Sequence, residues 1–203
     1  MITIRASFAL LLCIFISFAL QIFVSGYTQL FYFNPSDLHL WQFVTSMFLH
    51  GDVMHILFNV YALFAFGPLL ENRIGTKNFL ILYFICGIVG NLLYYLTILF
   101  GIIPPIPALG ASGAIFGIFG GLVITDPRLT LLIFGIIPMN IRHVAVLWFV
   151  LEFLGTFNSA SGIASAAHLG GLVAGYLLVK YFFKKKAYSV VDSYYWKKYQ
   201  DRY

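Results

Sequence analysis

Six long apolar runs, separated by short polar or glycine- and proline-containing breaks, organise the chain. They lie at Phe8–Val24, about Val53–Leu70, Phe79–Phe100, Ser112–Thr125, about Val144–Phe157 and Gly162–Phe183. The runs are continuous and do not alternate apolar with polar, which argues against a transmembrane β-barrel and for helices. At a rise of about 1.5 Å per residue, the two longest cover the ~30 Å hydrocarbon core of a bilayer. The fourth and fifth are too short to cross it fully. Their connecting loops must therefore enter the membrane thickness, where irregular backbone is tolerated only in protein or beside a wet cavity. A further apolar stretch, Leu129–Pro138, is separated from the fifth run by Pro138 and Arg142. It is assigned to an inner loop that dips toward the interface. The first run follows a lone Arg5 and ends at Val24-Ser25-Gly26, a pattern a signal peptidase can accept. Its length, and the lack of a polar stretch before the small residues, favour an uncleaved helix.

Composition and charge turn this pattern into a class. Hydrophobic residues make up 61% of the chain and charged ones 9%, with a mean hydropathy of +0.92. A chain of 203 residues cannot bury that much apolar surface in one water-soluble core, so the lipid bilayer is the first partner implied. The net charge of +5 does not point to nucleic acid, because the basic residues form no stripe with base-stacking aromatics. With the N-terminus placed in the cytoplasm, Arg5, Arg73, Lys77, Arg128, Arg142 and the Lys-rich tail all fall on the inner side. The outer loops Ser25–Asp52, Gly101–Ala111 and Asn158–Ser161 contain no Lys or Arg. This one-sided distribution predicts six spans with both termini cytoplasmic. The expected architecture is all-α: a polytopic six-helix membrane domain over residues 1–183, followed by a basic, aromatic tail at 184–203. That tail rests on the anionic leaflet or is solvated. Cys13 and Cys86 sit in mid-run and read as small buried hydrophobes, and no Cys/His spacing suggests zinc.

Polar side chains at membrane depth are costly, and His50, His55, Asn59, Ser112, Glu152 and His168 stand out. The predicted topology gathers most of them in the outer half. Ser112, in Gly110-Ala111-Ser112-Gly113, is either a packing residue between helices or a nucleophile at a helix N-terminus, where N–H groups and the dipole can stabilise an oxyanion. His168, about 9 Å into the sixth helix, is either a structural hydrogen bonder or the base such a serine needs. His55 and Asn59, four apart on one helical face, are interhelical hydrogen bonders or oxyanion donors. His50 is a surface residue at the outer interface or a contributor to the site. Glu152, read as mid-way along the fifth helix, is a neutral structural bonder or lines a wet path, and is not assigned to catalysis. With no carboxylate placed to pair with His168, the reading is a Ser–His dyad.

Small residues recur every fourth position at Gly113, Gly117 and Gly121, and again at Ala167, Gly171 and Gly175. Each series is a face that permits close backbone approach. If helices four and six meet through them, Ser112 and His168 arrive together.

These motifs resemble those of the rhomboid family of intramembrane serine proteases. Gly110-Ala111-Ser112-Gly113 is similar to its G-x-S-G motif. His50-Gly51-Asp52-Val53-Met54-His55-Ile56-Leu57-Phe58-Asn59 is similar to its second-helix motif. Ala167-His168-Leu169-Gly170-Gly171 is similar to its sixth-helix motif, and Glu71-Asn72-Arg73-Ile74-Gly75 to its E-x-R-x-G stretch. The resemblance runs from about Trp41 to Gly175. It implies Ser112 as nucleophile and His168 as general base and acid. His55, Asn59 and the Ser112 N–H would form the oxyanion hole. It further implies transmembrane protein substrates, a cavity open to the external side and approached laterally near helices two and five, and no metal or cofactor. Two positions depart from the family pattern. Trp41-Gln42 replaces Trp-Arg, which removes a loop salt bridge. Phe116 replaces a Tyr that packs on the histidine. The alternatives are a catalytically inactive relative that binds membrane clients, which would typically lack Ser or His, and a transporter, which would carry ionisable groups through the full thickness. Nothing in the pattern bears on oligomeric state.

Overall fold

A computed structural model describes residues 5–133, 135–158 and 164–183. The 184–203 tail and the expected start of the sixth helix at Gly162 lie outside the described residues. The long helices are α1 (Ala6–Phe23), α4 (Val53–Ile74), α5 (Thr76–Leu99), α6 (Ser112–Thr125), α7 (Ile141–Gly155) and α8 (Ser165–Leu178). The last continues as a π-helical turn over Val179–Phe183. By length and composition, α1, α4, α5 and Ser165–Phe183 can each cross a bilayer; α6 is apolar but shorter. Large apolar side chains on α1, α4 and α7 point outward, among them Phe23, Phe58, Tyr61 and Val146, as a lipid-facing surface requires.

The second apolar run ends at Leu70, yet α4 continues for another turn through Glu71-Asn72-Arg73. Partners on other helices explain why these polar residues stay helical. The first N–H groups of α1 have no side-chain cap of their own. The Glu71 carboxylate supplies one, accepting from Ala6 N–H at 2.9 Å, Ser7 N–H at 3.0 Å and the Ser7 hydroxyl at 2.8 Å. It also accepts from the Thr76 hydroxyl at 2.9 Å, so one buried anion satisfies orphan donors at the start of α1 and ties α1, α4 and α5 together. Arg73 Nε reaches both Asp126 oxygens, at 2.9 and 3.0 Å, and its Nη2 joins the same carboxylate. This forked pair fixes the end of α4 to the end of α6. Gly75, with φ of +79°, makes the corner between α4 and α5, a backbone region other residues rarely adopt.

The centre of the bundle is α6, flanked by α5 and α8. Its contact with α8 is backbone on backbone. A Cβ at Gly171 would run into the Gly113 carbonyl, and one at Gly175 into the Gly117 carbonyl. Gly121 instead faces Leu70 and Val179.

Two regions differ from the sequence reading. Leu129–Pro138 is not an irregular loop. An antiparallel hairpin, β1 (Thr130–Ile133) and β2 (Ile137–Asn140), occupies it, with Leu132 opposite Pro138, and pairs the facing backbone groups of the two strands. The outer segment between α1 and α4 holds two short helices, α2 (Tyr27–Phe31) and α3 (Gln42–Thr45), which the sequence did not signal. Gln42, which stands where the family pattern has Arg, is itself the anchor of that segment. Its amide oxygen accepts from Asn34 and His39 N–H at 3.1 and 3.3 Å, and its nitrogen donates to the Asp37 carbonyl at 3.3 Å.

Candidate active site

Ser112 is the first residue of α6, and no side chain caps that helix. Its leading N–H groups and positive dipole end are therefore available beside the Ser112 hydroxyl. The loop entering α6 is held by Gly110 N–H, which donates to the Ser46 carbonyl at 2.9 Å. Ser46 is in turn bound by Asn91 on α5 at 3.0 Å. Gly110 has φ of +132°. A Cβ there would sit 2.8 Å from His55 Nε2 and 3.6 Å from Ser112 Oγ. The glycine thus leaves open the space between those two atoms.

On α8, the His168 ring places Nε2 2.6 Å from Ser112 Oγ. Its other face is set by Phe116, one turn below Ser112 on α6. The two rings stack with centroids 4.5 Å apart and planes 9° from parallel. Phe116 and Phe119 are in turn held by Trp148 of α7, at 5.7 and 4.7 Å.

The expectation that no carboxylate pairs with His168 is overturned. Glu152 Oε1 lies 3.0 Å from His168 Nδ1, so Glu152, His168 and Ser112 form one line of hydrogen-bonded groups. The pair is withdrawn from solvent, with side-chain exposures of 13% for His168 and 14% for Glu152. Glu152 is not mid-way along α7 but in its last turn, at the level of His168.

His55 and Asn59 face the same cavity as Ser112. Asp52 caps α4 by accepting from His55 N–H at 2.8 Å. His55 Nδ1 accepts from Gly51 N–H at 3.4 Å, which leaves Nε2 as the protonated nitrogen facing Gly110 and Ser112. One Asn59 amide N–H is used on the His55 carbonyl at 2.9 Å, and the second remains free to point elsewhere.

His50 is not a surface residue. It is 1% exposed and packs edge-on against His55 at 5.1 Å. Gln21 of α1, which the sequence reading passed over, clamps its backbone by accepting its N–H at 2.9 Å and donating to its carbonyl at 3.0 Å. Burial first, and the neighbouring His55 second, push its pKa down to about 4; the Phe48 carbonyl and Asp52 oppose this more weakly. His50 therefore enters the site neutral.

Ser112, His168, His55 and Asn59 open onto one cavity of about 1280 Å³. It continues as a groove beside α4 from Gly51 to Leu69, with Phe116 and Trp148 on the opposite wall and the hairpin at its far end. Its lining on α4 itself runs from Met54 to Leu69, sixteen helical positions or roughly 24 Å, most of a bilayer core.

The fold and site define a class: an integral, multi-pass, mostly helical membrane protein with a half-buried Ser–His pair opening onto a groove beside α4. Residues 37–185 match the family model described as the Rhomboid domain, and the chain belongs to the rhomboid family. It is 37% identical over 154 residues to Rhomboid-like protease 3 of Toxoplasma gondii, covering 74% of this chain and 54% of that protein. It is 36% identical over 142 residues to Putative rhomboid protease YdcA of Bacillus subtilis, 68% of this chain and 65% of that protein. With Rhomboid protease GlpG of Yersinia enterocolitica it shares 29% identity over 177 residues, 83% of this chain and 59% of that one. The chain thus spans about half to two-thirds of the length of these curated relatives.

Proposed function

We propose that the protein is an intramembrane serine endopeptidase that cleaves peptide bonds in or near transmembrane segments of other membrane proteins. The observation that carries this reading is the 2.6 Å contact between Ser112 Oγ and His168 Nε2 at an uncapped helix N-terminus, inside a membrane-embedded domain. The Ser112 hydroxyl attacks the scissile carbonyl carbon while its proton passes to His168 Nε2. The oxygen of the resulting tetrahedral species gains negative charge. It meets the Ser112 N–H, His55 Nε2–H and the second Asn59 amide hydrogen in the space that Gly110 leaves open. His168 then delivers the proton to the leaving nitrogen as the C–N bond breaks. In the second half, a water gives its proton to His168 and attacks the acyl carbon. His168 returns that proton to Ser112 as the acid product leaves. The groove along α4 suits an apolar helix as substrate, and its polar end at Ser112 suits a locally unwound peptide bond.

The test is incubation of the full chain in liposomes with several single-span substrates, alongside a fluorophosphonate reagent. We expect a cleaved product and a covalent adduct on Ser112 by mass spectrometry. A folded protein that gives neither overturns the reading.

From the one-sided Lys/Arg distribution we further propose that both termini are cytoplasmic and that the site opens outward. A reporter fused after Phe183 is expected to read cytoplasmic, and one inserted between Phe100 and Pro107 external. A C-terminal reporter that reads external overturns this topology.

A further inference from the structure

We infer that Glu152 is a positioning residue for His168, which makes the site a Ser–His–Glu line rather than a two-residue unit; this rests on the hydrolase reading above. Glu152 is the only charged residue in the apolar stretch Val144–Phe157. A carboxylate there is expensive unless it is hydrogen-bonded and used. Its oxygen is 3.0 Å from Nδ1 of the histidine whose Nε2 is 2.6 Å from the serine. The Ser165 hydroxyl is a second donor to the same carboxylate.

The tautomer follows from the acceptor. An ionised carboxylate can only accept, so His168 Nδ1 carries the proton and Nε2 presents a lone pair to the Ser112 hydroxyl. Were Glu152 protonated, it could donate to Nδ1. Nε2 would then hold the proton and could not take one from Ser112. When His168 becomes cationic during attack, the adjacent anion stabilises it in a setting screened from water. Phe116 restrains the ring from one face, but a stacked phenyl selects no tautomer, and Glu152 alone among the described contacts of His168 does so. Trp148 and Glu152 are four residues apart and thus share a face of α7. That helix fully buries only Ile141 and Val144, and the half-buried Glu152 gives it a polar tie to the bundle that is also the orienting contact.

The experiment measures kcat and KM for wild type, Glu152→Gln, Glu152→Asp and Glu152→Ala in liposomes, with a melting curve for each. It also records the ring 15N shifts of His168 in the wild type. We expect kcat to fall at least about tenfold for Gln and further for Ala, toward the roughly 10⁴-fold known for a mis-set tautomer. KM should stay within about threefold, and Asp should recover part of the loss. The wild-type spectrum should show a proton on Nδ1. Well-folded Glu152→Ala with kcat within threefold of wild type overturns the inference while leaving the protease reading intact. If no Glu152 variant folds, the spectrum decides, and a proton on Nε2 overturns it. A wild type that cleaves nothing and takes no fluorophosphonate overturns the underlying reading instead, and the spectrum still reports on the Glu152–His168 contact.

Discussion

Ser112→Ala and His168→Ala should each reduce cleavage of a membrane-embedded substrate by at least about 10⁴-fold, and the double variant should lose little more. In the proposed mechanism nucleophile and base act as one unit. Without the serine there is no acyl-enzyme, and without His168 the serine keeps its proton and the amine leaves without one. Folding should survive Ser112→Ala. The substitution is nearly isosteric, and the lost hydrogen bond is worth about 1 kcal/mol net. Asn59→Ala should cost less than either, at most the roughly hundred- to thousandfold typical of one oxyanion donor, because His55 and the Ser112 N–H remain. Part of that cost is structural, since Asn59 also holds the His55 carbonyl. The check is a progress curve for each variant, with melting recorded in parallel. Persistent cleavage by a folded Ser112→Ala variant sinks the assignment. Additive losses in the single and double variants would mean that the two side chains work independently.

The sequence carried some of this site openly and hid the rest for physical reasons. Helix α6 could be read to the residue, because Gly110 breaks the chain on one side and Asp126-Pro127 on the other. Ser112, His168, His55 and Asn59 were visible as costly polar groups in apolar runs. Glu152 is visible too, but a depth read from the middle of its run gives it no partner. Counted inward from Phe157, it lies about 7.5 Å down, nearly level with His168 at about 9 Å, so the two can pair. The choice for His50 between the outer surface and the site stays open in the sequence, because what clamps its backbone is a residue 29 positions away, Gln21 on α1, and no local pattern encodes that. The same holds for Glu71, whose partners Ala6 and Ser7 are 65 and 64 residues distant. The hairpin at Thr130–Asn140 gave no alternation to read, since it is apolar at most positions. The helices α2 and α3 are five and four residues long, too short for a period to register.

Packing between α6 and α8 gives the largest expected effect on stability, and the glycines are not equivalent in it. A Cβ at Gly113 would stand 3.4 Å from the Ala167 carbonyl oxygen, an ordinary contact, whereas one at Gly171 would overlap the Gly113 carbonyl itself. Backbone cannot rotate away as a side chain can, so Gly171→Ala must push the helices apart. Gly113→Ala should therefore melt within about 2 °C of wild type or slightly above it, since alanine favours helix by about 1 kcal/mol. Gly171→Ala should lose about 3 kcal/mol, or roughly 6–12 °C, and Gly171→Leu more, to the point of failing to accumulate. Function should fall ahead of stability. Gly171 lies one turn below His168 on α8, and displacement of that turn lengthens the 2.6 Å contact to Ser112. A misplacement of about 1 Å at reacting atoms can cost a hundredfold. Folded Gly171→Ala protein is therefore expected to show sharply reduced fluorophosphonate labelling of Ser112 well below its melting temperature. Equal melting and equal labelling for Gly113→Ala, Gly171→Ala and wild type would mean that the helices do not meet through this seam, and that the Ser–His distance is set elsewhere.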